Sequence, residues 1–239
     1  MATKKYKRRI FGYIFRAICV LFIVAVLSLL LWRIIDSKTD PKELKTLTPN
    51  QILCDAYEEN GKELTVFTQK QNTYSQGAKT YGYFSVTNTC FIEEAEQIQL
   101  LFRYNNSTIK YLTEDYDLPT IPSRNEDLFE VTLLVAYDLT PDDTDDNSNL
   151  EHIRFERLYP TEKIPYSKTL YNYRKLIFDG IDFGDSVLAI YVDVYYNGDV
   201  DYENETYATL IAYHYSEPTS PLKLSSADKK ALEDWIKNN

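Results

Sequence analysis

The chain has 239 residues, of which 44% are hydrophobic and 26% are charged, and this composition is typical of ordered globular proteins. Only seven residues are glycine and no two form a G-x-G pattern, which excludes the phosphate-binding loops of dinucleotide-binding and P-loop folds. Beyond position 35 the chain has 19 basic and 36 acidic residues. This acidic balance excludes DNA and RNA as partners, because nucleic-acid affinity comes mainly from Lys and Arg at the phosphates.

The N-terminal residues have the pattern of a membrane anchor. Residues 1–9 contain five basic residues and no acidic one, and they predict a basic cytoplasmic leader. Residues 10–35 have only two charged residues, Arg16 and Arg33, and predict a transmembrane helix. Tyr13 and Trp32 would stand about 28 Å apart along this helix, close to the ~30 Å thickness of the bilayer hydrocarbon.

The charge distribution predicts an uncleaved signal anchor with the N-terminus in the cytoplasm and the bulk of the chain outside the cell membrane. A cleaved signal peptide is the alternative. The apolar region of a signal peptide usually ends at an A-x-A-like site, whereas this one ends in Leu-Leu-Leu-Trp-Arg.

The remaining chain is predicted to form a lead-in and one domain. Residues 36–49 are polar and contain two prolines, which predicts a short stalk or the start of the fold. Residues 50–239 are predicted to form an extracytoplasmic domain. It begins with a short helix over 50–59, capped by Asn50 or Thr48 and ended by Asn60-Gly61.

Patterns of period two predict about eight strands after this helix, over residues 63–69, 80–88, 96–104, 127–138, 151–158, 168–178, 186–196 and 207–215. In the third of these, alternation predicts one core face and one solvent-exposed face that carries Gln97, Gln99 and Arg103. Asn197-Gly198 predicts a hairpin turn, with residues 199–203 pairing back. No long helical pattern separates the strands, so the predicted fold class is mainly β: an antiparallel β-sandwich after an N-terminal transmembrane helix.

The end of the chain predicts a short C-terminal helix over residues 227–237, capped by the preceding serines. Trp235 lies on its apolar stripe. This side chain packs on the parent sandwich in one interpretation. In the other it is an interface residue that anchors a protein partner, since Trp often dominates interfaces.

Two cysteines outside the membrane segment, Cys54 and Cys90, form a candidate disulfide. A bridge across their 36-residue span would stabilise the domain by roughly 3 to 4 kcal/mol. Two buried free thiols are the alternative.

Two short motifs bear on catalysis. Thr87-Asn88-Thr89-Cys90 resembles the T-x-T-C nucleophile strand of sortases, with Arg103 in the place of the sortase arginine. A sortase also has a His before its Cys, whereas His152 and His214 both follow it. The segment 183–186, Phe-Gly-Asp-Ser, resembles the nucleophile block of GDS esterases, but it precedes a strand and has no D-x-x-H partner. We predict no catalytic site and no cofactor.

The densest acidic cluster contains Asp142, Asp143, Asp145 and Asp146, which are candidate Ca²⁺ ligands because this ion prefers carboxylate oxygens. An EF-hand register does not fit, since Leu150 stands where Gly is required. A solvated acidic loop without a metal is the favoured interpretation.

The 21 tyrosines fit either cross-strand packing or an aromatic platform for sugars. Together these features predict a membrane-anchored extracytoplasmic binding or assembly module of a bacterial envelope, with a protein partner. A cell-surface carbohydrate-binding module is the alternative, and an envelope hydrolase or transpeptidase is a less favoured one.

Overall fold

A computed structural model describes residues 2–68, 75–76, 84–123, 126–138, 153–183, 187–198, 206–214 and 220–239. The chain divides into two compact units, Met1–Asp40 and Pro41–Asn239. The first unit is one continuous helix, α1 (Ala2–Lys38), and the most apolar window of the span has a mean hydropathy of 2.8. The chain therefore has one helix near its N-terminus that is long and apolar enough to cross a membrane.

The second unit contains eleven described strands: β1 (Thr65–Thr68), β2 (Ser75–Gln76), β3 (Phe84–Ile92), β4 (Gln97–Asn105), β5 (Phe129–Asp138), β6 (Ile153–Leu158), β7 (Glu162–Ser167), β8 (Tyr171–Asp179), β9 (Val187–Tyr196), β10 (Ala208–His214) and β11 (Ser220–Lys223). They form two sheets in which all neighbours are antiparallel. The six-stranded sheet has the order β11-β1-β3-β4-β8-β7, and the five-stranded sheet has the order β2-β10-β9-β5-β6. The predicted antiparallel sandwich is confirmed.

Four short helices accompany the sheets: α2 (Lys42–Lys45), α3 (Gln51–Glu59), α4 (Asn106–Asp115) and α5 (Ser226–Asn238). The predicted α3 and α5 are confirmed with their caps, since Leu53 N–H donates to the Asn50 side chain and Asp228 N–H donates to the Ser225 hydroxyl. Helix α4 is an addition to the predicted elements. It starts where Asn105, at the end of β4, caps its first turn by accepting from Thr108 N–H.

The main core lies between the two sheets. Phe84 is at its centre, with ring centroids 5.5 Å from Phe102, 5.1 Å from Phe129 and 6.0 Å from Tyr207. These four rings belong to strands of both sheets or to the residue before β10, and all are buried. The aromatic cluster therefore fixes the two sheets against each other.

All eight predicted strands are present, and three further strands were not predicted. Two of these contain a proline, Pro165 in β7 and Pro221 in β11, and the third, β2, has two residues. Proline is tolerated at the edge of a sheet because the missing N–H can face away from the neighbour. The predicted turn at Asn197-Gly198 follows β9, whereas residues 199–203 lie outside the described residues.

The predicted solvent-exposed face of β4 is wrong. Gln97 and Gln99 are 0% and 1% exposed, and Leu101 between them and Arg103 is 0% exposed. Residues 41–50, which we call the strap, lie over this face and form hydrogen bonds with its amides. A polar side chain that pairs with a covering segment has the same alternation in sequence as one that faces water.

Candidate functional site

The outer face of the six-stranded sheet is covered. Leu44 and Leu47 of the strap are 6% and 4% exposed. The Gln99 side chain accepts from Thr48 N–H at 2.8 Å and donates to Thr48 C=O at 2.8 Å, while Leu47 N–H donates to Asp228 of α5 at 2.8 Å. These hydrogen bonds give the backbone N–H and C=O groups of the strap the partners that a neighbouring strand would otherwise supply.

Helices α3 and α5 cover the part of that face that β1 and β3 form. They pack in a second apolar cluster that includes Leu53 and Tyr57 of α3, Leu232 of α5, and Cys90 of β3. Trp235 and Ile236 are half-buried against the same cluster. Trp235 therefore packs on its parent domain, which was one of the two interpretations of the sequence. The other, that it anchors a protein partner, stays a prediction.

A buried lysine lies under the strap. Lys175 of β8 is 3% exposed, and its ammonium group donates to Thr46 C=O. Burial lowers the pKa of Lys175 to about 8, while the Asp228 carboxylate and the ionised form of the Cys90 thiol act in the opposite direction. The lysine fixes the strap to the sheet, and it has no free surface from which to act on a ligand.

Both candidates for a disulfide are free thiols. Cys54 and Cys90 are buried in the same apolar cluster and are not bridged. Burial raises the pKa of each thiol to about 11, with smaller contributions from neighbouring charges. A thiol with so high a pKa stays protonated at neutral pH and is a poor nucleophile.

We expect Cys54 and Cys90 to resist a maleimide at pH 8 in the folded chain and both to react after denaturation without reductant. The thiols resist the maleimide in the folded chain because they are buried and protonated. They react in the denatured chain because no disulfide joins them. The measurement is the mass increase of a Cys19→Ser variant, which removes the cysteine of α1. Failure of both thiols to react in the denatured, unreduced protein would show that they are bridged.

The residues that resemble a sortase site do not come together. Arg103 lies opposite Ser85 in the β3–β4 register, whereas Cys90 lies opposite Gln99. The Arg103 side chain donates to the Ser85 hydroxyl at 2.7 Å and stacks at 4.8 Å over the ring of Tyr171. Arg103 therefore lies four positions along β4 from Gln99, the residue opposite Cys90.

Other candidates fall outside the described residues. These are Ser186, His152 and the four candidate Ca²⁺ ligands Asp142, Asp143, Asp145 and Asp146. Within the described part of the chain, no group of three or more His, Cys, Asp and Glu side chains could hold a metal ion.

The outer face of the five-stranded sheet differs from the covered face. None of the described helices or the strap packs on it. Alternation along β5, β6, β9 and β10 directs one set of side chains outward, and nine of them are what we call the open face: Thr132, Leu134, Phe155, Arg157, Tyr191, Asp193, Tyr195, Thr209 and Ile211. Thr132, Asp193 and Tyr195 among them are buried, and the open face is a candidate surface for receiving a partner.

A polar cluster forms the centre of the open face. The carboxylate of Asp193 accepts from the Thr209 hydroxyl at 2.7 Å and lies 3.8 Å from the Arg157 guanidinium. The side chain of Asp193 is only 5% exposed, and burial raises its pKa while the other two groups lower it. Arg157 also lies 5.4 Å over the ring of Tyr195.

Apolar and aromatic side chains surround this cluster. Phe155 is 56% exposed, and Tyr191, Leu134 and Ile211 are half-buried. The combination of a fixed arginine, tyrosines and apolar side chains is the composition found at the centre of protein interfaces. It also offers rings on which a sugar could stack.

Some tyrosines of the described residues pack inside the domain, and others are exposed at its surface. Six are buried in packing positions, namely Tyr57, Tyr104, Tyr137, Tyr173, Tyr195 and Tyr207. Cross-strand and core packing therefore accounts for many of them. Tyr159 and Tyr166, at 59% and 38% exposed, remain available at the surface.

Sequence reasoning missed the polar cluster. The sequence feature that could have revealed it is Asp193, a carboxylate within the apolar and aromatic strand Val187–Tyr196. It lies on the same face of the strand as Tyr191 and Tyr195. Comparison with protein-family models, with curated proteins and with solved structures gave no match to this chain.

Proposed function

We propose that the chain is a membrane-anchored, extracytoplasmic binding module that docks a protein partner on the open face. One observation carries the proposal: the strap and two helices cover the β1, β3 and β4 part of one outer face of the sandwich, while none of the described helices joins an apolar cluster on the other. A face with half-buried Tyr191 and Ile211 around a buried Asp193 and its exposed partner Arg157 is better suited to contact than to solvation.

The anchor and the orientation support this role. Helix α1 is long enough to hold the module at a membrane, and the five basic residues in positions 1–9 favour a cytoplasmic N-terminus. The sandwich would then face the outside of the cell membrane as an acidic domain. Arg157 is the cation on its open face, and its position favours a partner that brings a carboxylate to this point.

Proximity labelling in the native membrane tests the proposal, with the labelling enzyme fused after Asn239 of the full chain. The open-face variant is Tyr191→Ala with Ile211→Ala, and its matched control is Tyr166→Ala with Ile52→Ala, whose side chains are 38% and 47% exposed and lie off the open face. We expect a small set of envelope proteins to be labelled by wild type and control, and to be lost in the open-face variant.

The opposite results are distinct. Retention of the same neighbours in the open-face variant would overturn the open face as the docking site. Diffuse labelling by all three proteins, together with glycan-array binding that only the open-face variant loses, would replace the protein partner with a carbohydrate.

A further inference from the structure

We infer that β6, the edge strand beside the open face, pairs with β6 of a second copy of this chain. Among the described strands four end a sheet: β11 and β7 in one, β2 and β6 in the other. An edge strand has unpaired backbone groups, which natural proteins usually protect from pairing with other chains.

The other three edges have features that hinder pairing. β7 contains Pro165 and β11 contains Pro221, and proline has no N–H to donate. β2 has only two residues. β6 has six residues, Ile-Arg-Phe-Glu-Arg-Leu, without proline or glycine, and is bonded on one side only, to β5. It is therefore the described edge most open to strand addition.

The charges on β6 identify a second copy as the occupant. Two copies that pair antiparallel, with their open faces on the same side, must place residues of the same face opposite each other. A register centred on Phe155 places Arg154 of each copy opposite the partner's Glu156. It also places the two Phe155 rings opposite each other, as an aromatic cross-strand pair.

Neighbouring registers are unfavourable. Centring on Arg154, Glu156 or Arg157 places two like charges directly opposite each other, which destabilises a strand pair. Arg154 and Glu156 already form an ion pair within one strand, with 2.5 Å between the guanidinium and the carboxylate, and both are partly exposed. Pairing exchanges the two contacts within the strands, one in each copy, for two equivalent contacts between the copies.

The result would be one continuous sheet of ten described strands with both open faces on the same side. A pairing of about five residues on each strand is weak for two dilute proteins. Two copies held in one membrane by α1 meet at a much higher effective concentration. The inference stands independently of which partner the open face receives, because strand pairing uses the free backbone edge of β6, whereas docking uses its outward side chains Phe155 and Arg157.

Cysteine crosslinking of the full chain in its membrane tests the pairing, in a Cys19→Ser background. We expect Phe155→Cys to shift under mild oxidation to twice the monomer mass, because directly opposite Cβ atoms lie within reach of a disulfide. Arg154→Cys and Tyr166→Cys are the controls. A cysteine at position 154 would lie opposite residue 156 of the second copy and not opposite its position 154. A cysteine at position 166 lies on β7.

Charge reversal tests the register in the Phe155→Cys background. We expect Arg154→Glu to abolish the crosslinked dimer, and the double change Arg154→Glu with Glu156→Arg to restore it. Restoration also shows that the variants fold. Equal crosslinking at all three cysteine positions, or a dimer that persists in Arg154→Glu, would overturn the inference, and neither result would affect the proximity-labelling test with Tyr191 and Ile211.

Discussion

Phe84→Ala is expected to lower the free energy of unfolding of the sandwich by roughly 3 to 5 kcal/mol. Phe84 is 2% exposed, and its ring contacts aromatic rings from both sheets. Removing it leaves a cavity that the surrounding rings cannot fill without moving the two sheets.

The matched control is Phe155→Ala, which removes the same side chain from a position that is 56% exposed. We expect it to change the stability of the dilute protein by no more than about 0.5 kcal/mol. Urea unfolding of the full chain in detergent, followed by the fluorescence of Trp235 in a Trp32→Phe background, measures both. A similar loss of stability in the two variants would contradict the placement of Phe84 at the centre of the core.

The second large effect is a dependence of stability on pH that comes from Lys175. Burial lowers the pKa of this lysine from 10.5 to about 8 in the folded chain. Below pH 8 it is charged in both states, so folding carries the full cost of burying the charge. Between the two pKa values the unfolded state binds more protons, and the free energy of unfolding therefore increases with pH. Over the whole interval the increase is on the order of 3 kcal/mol.

Only the first part of this increase is expected to be visible. Cys54 and Cys90 have the opposite sign, because burial raises their pKa from 9.0 to about 11 and the unfolded thiols lose their protons first. Their contribution to stability decreases above pH 9. We therefore expect stability to rise by up to about 1.4 kcal/mol between pH 8 and pH 9, and then to level off or fall.

Lys175→Met separates the lysine from the other groups. Methionine has a similar shape and no charge, so the rise between pH 8 and pH 9 should disappear in urea titrations at matched pH values. The difference in stability between the variant and the wild type is expected to change with pH from about pH 8 to pH 10.5 and to stay constant above that, where the lysine is neutral in both states. The same rise in the variant would show that other groups cause it.

The strands and caps of the fold were readable from local patterns. The β4 core face follows from alternation at Ile98, Leu100 and Phe102, which are all 0% exposed. Helices α3 and α5 follow from Asn50 and Ser225, whose side chains cap the first turn in the structure. These signals are local because each depends on residues a few positions apart.

The covering of the six-stranded sheet was not readable in this way. Thr48 binds Gln99, 51 positions away, and Leu47 binds Asp228, 181 positions away. Periodic patterns in the sequence do not reveal contacts between such distant residues. The strap itself is short and polar and contains prolines, which is also the composition of a stalk. The open face and the β6 edge depend in turn on the strand order, which alternation within single strands does not contain.

Asp193 is the exception among the missed residues. A carboxylate between Val192 and Val194 of a strand is an unusual choice at a buried position, where an unpaired charge is costly. Its partners Thr209 and Arg157 come from two other strands, and they become evident only when the strands are placed side by side.

The most direct measurement for the open face is site-specific photo-crosslinking of the full chain in its native membrane. A photoreactive residue replaces Tyr191 beside the polar cluster of the open face or, as the control, Ile52 on the outside of α3, which is 47% exposed. We predict a discrete crosslinked adduct with another envelope protein from position 191 and none from position 52. Adducts from position 52 alone, or the same adducts from both positions, would contradict the assignment of the open face as the docking surface.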